Sequence, residues 1–174
     1  MLRLIFASML FISMLYAATL SSDQIDIEAD RFEVNISSNH FVAQDNIVIR
    51  QGEIIIRAKQ ASYTRAKDII HLLGSVEMVY GPLRIVCEQL VFDRRKQELQ
   101  GSKSLKAFYR SYEIEGETLI YRINQKIVDF VGMTTIHENK NVIQGKDITL
   151  DLLKNKLYSN EKTHVTVEKG SHGR

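Results

Sequence analysis

The residues best suited to chemistry in this chain are few and do not converge. Asp26, Glu28 and Asp30 form a short carboxylate series, but alternation sends the first two to the wet face of a single strand. No partner follows at metal-ligand or general acid-base spacing. His40, His71, His137, His164 and His172 share no register with one another or with Cys87, the one cysteine. That thiol has no second cysteine to bridge and no paired base to activate it, so it reads as a small buried residue. The basic residues Arg94, Arg95, Lys96, Lys103, Lys106 and Arg110 could meet phosphates or an acidic partner. They equally suit a solvated turn and a charged strand edge that discourages unwanted pairing. No glycine-rich phosphate loop occurs. With no converging acid, base and nucleophile, the sequence reads as a non-enzyme that needs no metal or cofactor.

What positions these residues is a repeat. Stepping by 29 from Ile27 lands on Ile56, Ile85, Ile114 and Ile143, the same residue five times. Ala29, Ala58, Cys87, Gly116 and Gly145 form a small-residue column two places on. Val34, Tyr63, Phe92, Tyr121 and Leu150 are apolar, as are Phe41, Ile70, Leu99, Val128 and Leu157. Ile49, Met78, Ala107, Ile136 and Val165 complete a set of columns kept without an insertion. A fixed period of this length marks stacked supersecondary units.

Inside each unit apolar and polar residues alternate, as in Ile25-Asp26-Ile27-Glu28-Ala29, which is the strand period. Between Ala29 and Phe32 the parity flips, with the small residue at the flip. A corner or bulge there keeps both flanking arms apolar on the inside. Turn chemistry falls at Gln51-Gly52, Gly81-Pro82, Gly74, Gly132, Ser37-Ser38-Asn39 and Asn124-Gln125. The expectation is a few short strands per unit and an all-β, elongated, slightly twisted jelly roll. It has two facing antiparallel sheets built from about five 29-residue repeats. Such a stack ends in unpaired strand edges, around Ile25–Ala29 and His164–Glu168, which favour edge pairing and head-to-tail association.

The bulk numbers agree with one domain: 174 residues, 44% of them hydrophobic. A net charge of +2 from 23 basic and 21 acidic residues argues against nucleic acid as a partner. The first residues obey another rule. Arg3 supplies a positive end, Leu4 to Leu15 is nearly all apolar, and Tyr16-Ala17-Ala18 offers small residues for cleavage. This predicts a signal peptide over 1–17, an exported, periplasmic chain, and one domain over 18–174 with a short flexible tail at 169–174. An uncleaved membrane anchor is the competing reading. Periodicity leaves open whether the inward face is a filled core or a cleft for acyl chains.

Five segments carry a resemblance. Ile25-Asp26-Ile27-Glu28-Ala29-Asp30, then Asp45-Asn46-Ile47-Val48-Ile49-Arg50-Gln51-Gly52, then Ile54-Ile55-Ile56-Arg57-Ala58 resemble the opening of the OstA-like family. Val142-Ile143-Gln144-Gly145-Lys146-Asp147-Ile148-Thr149 and Ile114-Glu115-Gly116-Glu117 are similar to that family's C-terminal units. The resemblance spans about residues 24 to 168. The stretch Lys103–Tyr112 departs from it, keeping strict repeat spacing where the family usually carries a longer loop.

The resemblance implies a V-shaped jelly roll that binds lipopolysaccharide, with lipid A between its sheets, and that bridges the inner and outer membranes for outer-membrane assembly. It also implies edge-strand pairing with inner-membrane LptC-like and outer-membrane LptD-like jelly-roll domains, and head-to-tail self-association. The alternatives are a membrane-anchored LptC-type partner of the same pathway and a structural β-repeat protein with no ligand. The inward residues expected to meet lipid A are Ile25, Ile27, Ile54, Ile56, Leu83, Ile85, Tyr112, Ile114, Tyr121 and Ile123.

Overall fold

The structure, a computed structural model, describes residues 25–167. The expected signal peptide and the tail at 169–174 lie outside the described residues. Twelve strands are found there: β1 (Asp26–Glu28), β2 (Arg31–Asn35), β3 (His40–Gln51), β4 (Ile54–Thr64), β5 (Ile69–Tyr80), β6 (Leu83–Asp93), β7 (Glu98–Tyr109), β8 (Tyr112–Arg122), β9 (Ile127–Glu138), β10 (Asn141–Asp151), β11 (Lys156–Ser159) and β12 (Thr163–Thr166). All pair antiparallel in one sheet, each with its neighbour in sequence from β3 to β11. At the two edges β1 and β2 share the flank of β3, and β11 and β12 share the flank of β10.

The repeat has a simple anatomy. A twelve-residue strand, a two-residue turn, an eleven-residue strand and a four-residue turn make one 29-residue unit. Instead of several short strands, each unit therefore supplies two long ones that bend in the middle. The odd strands hold the additional residue, and the register shifts where it sits, for example between Gln44 and Ile47 and between Ser102 and Leu105. That residue makes a bulge, which bends a strand and restores the inward parity beyond the bend.

The bulges lie in register along the repeat, at Asp45, Gly74, Lys103 and Gly132, all with positive φ. Gly74 and Gly132 thus mark bulges inside strands, where the sequence suggested turns. On the even strands the small column, Ala58, Cys87, Gly116 and Gly145, sits beside the corner. A Cβ on Gly101 would lie in ordinary contact with the Cys87 Sγ, at 3.6 Å.

The turns repeat as strictly as the strands. Gly52, Gly81, Arg110 and Asn139 each open a two-residue turn with φ between 52 and 55°, the left-handed first position that twisted hairpins prefer. In the four-residue turns, Asn39, Asp68, Gln97, Lys126 and Asn155 take φ of 49 to 57°. The carbonyls of the first four accept hydrogen bonds from Arg65, Arg94, Ile123 and Leu152 in the next turn, at 3.0–3.4 Å. Side chains cap several of these turns. The Ser38, Lys96 and Lys154 amides donate to Asn35 Oδ1, Asp93 Oδ1 and Asp151 Oδ1 at 3.0, 3.1 and 2.9 Å.

Because the long strands β3 to β10 all bend at the same level, the sheet folds into two arms that face each other as two layers. One arm ends in the row of two-residue turns, the other in the row of four-residue turns. The sequence columns become two unbroken ladders of directly opposed pairs. Along the short-turn arm runs Ile27, Ile49, Ile56, Met78, Ile85, Ala107, Ile114, Ile136, Ile143, Val165. Along the long-turn arm runs Val34, Phe41, Tyr63, Ile70, Phe92, Leu99, Tyr121, Val128, Leu150, Leu157. At roughly 4.8 Å per strand each ladder is about 45 Å long. The middle rungs are at most 2% exposed, and each large apolar side chain buried this way contributes about 1.5–3 kcal/mol.

Candidate functional site

The two rows of turns meet along a seam, and the meeting is staggered. The Tyr80 ring, at the short-turn end of β5, lies 6.0 Å from that of Tyr121 on the long-turn arm of β8. The Tyr109 hydroxyl donates to Asn155 Oδ1 at 2.5 Å, and Arg110 Nη2 donates to the same oxygen at 2.8 Å. In both cases the partner lies three strands further along. The offset of about 14 Å follows from strand spacing and reflects the coiling that twist imposes on a folded sheet.

The stagger leaves a ledge at each end. At the N-terminal end the long-turn arm is the more open: Val34 (43%) and Ile27 (40%) are alike exposed at the edge, but inward of them Phe41 and Tyr63 are half-buried while Ile49 and Ile56 on the short-turn arm are 1% exposed. Phe32, Phe41 and Tyr63 line that ledge with ring centroids 5.9 and 5.8 Å apart. At the C-terminal end the arms exchange roles, with Val165 at 53% on the short-turn arm and Leu150 at 1% on the other.

Two clefts open on the seam. The larger, about 430 Å³, lies between the turn Gln51–Ile54 with Tyr80 on one side and Gln97, Ile123, Asn124 and Lys126 on the other. The second, about 260 Å³, runs from Gly81-Pro82 and Arg110 to Leu152, Leu153 and Asn155. The Lys126 ammonium stands 4.0 Å from the centre of the Tyr80 ring, between the two clefts, an electrostatically favourable placement over the ring face. Behind them the Tyr121 hydroxyl is buried without a hydrogen-bond partner. Burial, then the neighbouring Tyr80 and the Glu53 carboxylate, raises its pKa.

The residues expected to meet lipid fall on both arms. Ile25, Ile54, Leu83 and Tyr112 flank the short turns, and Ile27, Ile56, Ile85 and Ile114 are the next column inward on the same arm. Tyr121 and Ile123 belong to the opposite arm. Ile54 and Ile123 line the larger cleft together. Ile54, Ile56, Leu83, Ile85, Ile114 and Tyr121 are buried in the packed interior, and Ile25, Tyr112 and Ile123 are partly buried against it. Ile27 is 40% exposed at the edge.

The expected contact set takes only Tyr121 and Ile123 from the opposite wall and leaves out Leu90, Phe92, Leu99, Leu119, Val128 and Phe130, which are buried there. It also missed the polar rim of Gln51, Glu53, Gln97, Asn124 and Lys126. Gln97 and Lys126 share the left-handed turn column with Asn39 and Asp68, so their turn role was legible, but not which turns face each other.

The basic run has work inside the fold. Arg94 pairs with Asp68 at 3.0 Å, Arg95 donates to the Ala66 carbonyl at 2.7 Å, and Lys96 lies 3.4 Å from Asp93, so the turn is tied to its predecessor. Lys103 stands in a bulge, and Lys106 bridges Glu113 and Glu115 on the outer face at 2.9 and 2.5 Å. Arg50 joins Asp26 and Glu28 at 3.6 and 2.8 Å, and Asp30 accepts from Asn46 Nδ2 at 2.7 Å. Cys87 is 2% exposed and burial pushes its thiol up. Among the described residues no three His, Cys, Asp or Glu side chains gather as a metal site.

A search of curated proteins finds no match. One similar solved structure is the crystal structure of LptH, described as the LptA homologous periplasmic component of the conserved lipopolysaccharide transport device from Pseudomonas aeruginosa. It covers 86% of this chain and 100% of its own at 13% identity, with a TM-score of 0.35. The family model for the LptA/(LptD N-terminal domain) LPS transport protein matches residues 26–156. That match takes in the whole run of strands from β1 to the start of β11, and by it the chain belongs to the LptA/LptD N-terminal family of lipopolysaccharide-transport proteins, a transport family and not an enzyme family.

Proposed function

We propose that this chain is an exported, periplasmic protein that binds lipopolysaccharide, holds the acyl chains of lipid A between its two arms, and bridges the inner and outer membranes. The observation that carries the reading is the pair of unbroken apolar ladders facing each other for about 45 Å. A single pocket needs a few apolar residues, whereas a repeat of equivalent rungs suits a ligand that moves along. The contacts fall to Ile25, Ile27, Ile54, Ile56, Leu83, Ile85, Tyr112, Ile114, Tyr121 and Ile123.

Most of these side chains pack against each other, so the arms must part along the seam to admit a ligand. Burying a dozen methylenes recovers about 10 kcal/mol at 0.8 kcal/mol each, which is enough to offset parting a few rungs. The staggered ledges support head-to-tail association. The uncovered long-turn arm at the N-terminal end of one copy complements the uncovered short-turn arm at the C-terminal end of another. The edges β1/β2 and β11/β12 can pair with the edges of LptC-like and LptD-like jelly-roll domains in the same way.

The experiment is native mass spectrometry of the purified mature chain, followed by titration with lipopolysaccharide. Retained glycolipid and saturable binding are expected, and their joint absence counts against the reading. A second reading, a structural β-repeat protein without ligand, draws on the closely packed interior, and oligomers free of lipid would favour it. Sequencing the mature N-terminus separates the exported form, starting near Ala18, from an LptC-type anchored form that retains Met1.

A further inference from the structure

We infer that the larger seam cleft is a saccharide slot. It takes the hydroxyl-bearing sugar portion of an amphiphile whose chains lie between the arms, and in this it rests on the reading above. Three observations meet at the cleft. Its floor is apolar and continuous with the interior, through Ile54 and Ile123, so a molecule half inside the fold emerges at this point.

Its rim is polar and mixed, with the Asn124 carboxamide beside the Glu53 carboxylate and the Lys126 ammonium; the Gln97 amide nitrogen already donates to the Arg94 carbonyl at 2.7 Å, and Gln51 is buried. Carboxamides donate and accept at once, which matches sugar hydroxyls. A rim with one lysine facing one glutamate is a poor match for a bare phosphate, which calls for clustered cations or a guanidinium fork. At the rim the Lys126 ammonium lies over the Tyr80 ring, and behind that ring the Tyr121 hydroxyl is fully buried with no hydrogen-bond partner. Such a group is an exception in folded proteins, and its ring stands 6.0 Å from that of Tyr80, which lines the cleft. At about 430 Å³ the cleft falls in the usual range for small-ligand sites, roughly 300–1,000 Å³.

The test compares three fluorescent or competing probes on the full mature chain: lipid A, phosphatidylglycerol with the same acyl chains, and the free glucosamine disaccharide. The variant is Glu53→Ala with Asn124→Ala, both on exposed turns. Loss of two rim hydrogen bonds weakens lipid A binding about tenfold and leaves phosphatidylglycerol binding unchanged. An equal loss for both amphiphiles, or no loss for lipid A, overturns the slot while the lipid reading stands. Failure of the unaltered chain to bind either amphiphile overturns both. Competition by the free disaccharide at high concentration, absent in the double variant, supports the slot directly.

Discussion

Locking the seam separates stability from ligand entry, because the two respond in opposite directions. Arg110 and Asn155 meet across it, 45 residues apart in the chain, with a guanidinium-to-amide hydrogen bond of 2.8 Å. Replacing both by cysteine in a Cys87→Ala background, and bridging them with a short reducible bis-thiosulfonate linker, closes a loop of that length. In the chain-entropy account such a closure stabilises by about 4 kcal/mol. Asn155 has a φ of 51°, and putting cysteine in that left-handed position costs about 1 kcal/mol. Losing the seam hydrogen bonds to Asn155 removes about 1 kcal/mol each.

The unbridged double variant is therefore expected to be about 2–3 kcal/mol less stable than its parent, and bridging to restore that loss with roughly 1 kcal/mol to spare. The assay is urea unfolding in parallel with equilibrium lipopolysaccharide binding, before bridging, after it, and after reduction. Before bridging and after reduction, binding matches the parent. While bridged, the more stable protein no longer takes up ligand. Undiminished uptake by a fully bridged sample would refute the idea that the arms part at this seam.

Three other outcomes are expected. Gly132 has φ +90° and a Cβ there would lie 2.9 Å from Glu117 Oε2, whereas the nearest atom at Gly116 is 3.5 Å away; Gly132→Ala destabilises by about 1–2 kcal/mol and Gly116→Ala by clearly less, as urea midpoints will show. The Asp151 carboxylate accepts from the backbone N–H groups of Lys154 and Leu153, and that of Asp93 from Lys96, which holds both below the usual carboxylate range; a depressed folded pKa means the stabilisation is complete above about pH 4 and is lost as pH falls through the lower folded value, so Asp151→Asn flattens the acid side of the stability curve and an unchanged acid limb contradicts the assignment. Phe32→Glu or Val165→Glu places a charge on one ledge and lowers the mass seen by light scattering at high protein concentration, leaving the melting temperature within a few degrees; a parent chain that stays strictly monomeric removes the basis for the ledge argument.

The ladders were legible before any coordinates, and for a physical reason. Antiparallel strands of constant length return equivalent residues to opposed positions, so a column at a 29-residue step has to become a rung. Ile56 opposes Ile49 and Met78, and Phe92 opposes Ile70 and Leu99. The bends were half legible. The small column Ala58, Cys87, Gly116, Gly145 announced a corner on the even strands. The matching bulge on the odd strands is carried by Asp45 and Lys103 as well as by Gly74 and Gly132, and a glycine signals positive φ without saying whether a turn or a bulge requires it. The parity flip therefore suggested several short strands, where the backbone continues through the bend. The seam was not legible at all. Which turn faces which depends on twist accumulated over three strands, and no local residue pattern encodes that sum.

The coiling that hid the seam bears on transport. With facing arms in register, each short turn would sit over the neighbouring long turn and the two ends would close flat. The stagger of three strands instead uncovers Phe32, Val34, Phe41 and Tyr63 at one end and Ile143 and Val165 at the other, on opposite arms. Under the proposed head-to-tail association, a second copy placed end to end would extend both ladders, its covered arm meeting the uncovered one. Under the proposed function the acyl chains then meet the same two walls across a junction as within a chain, and no step of exposure to water of about 0.8 kcal/mol per methylene separates one copy from the next. Equivalent rungs give no preferred direction. Under the proposed bridging role, the bias toward one membrane comes from the partner that loads the first copy.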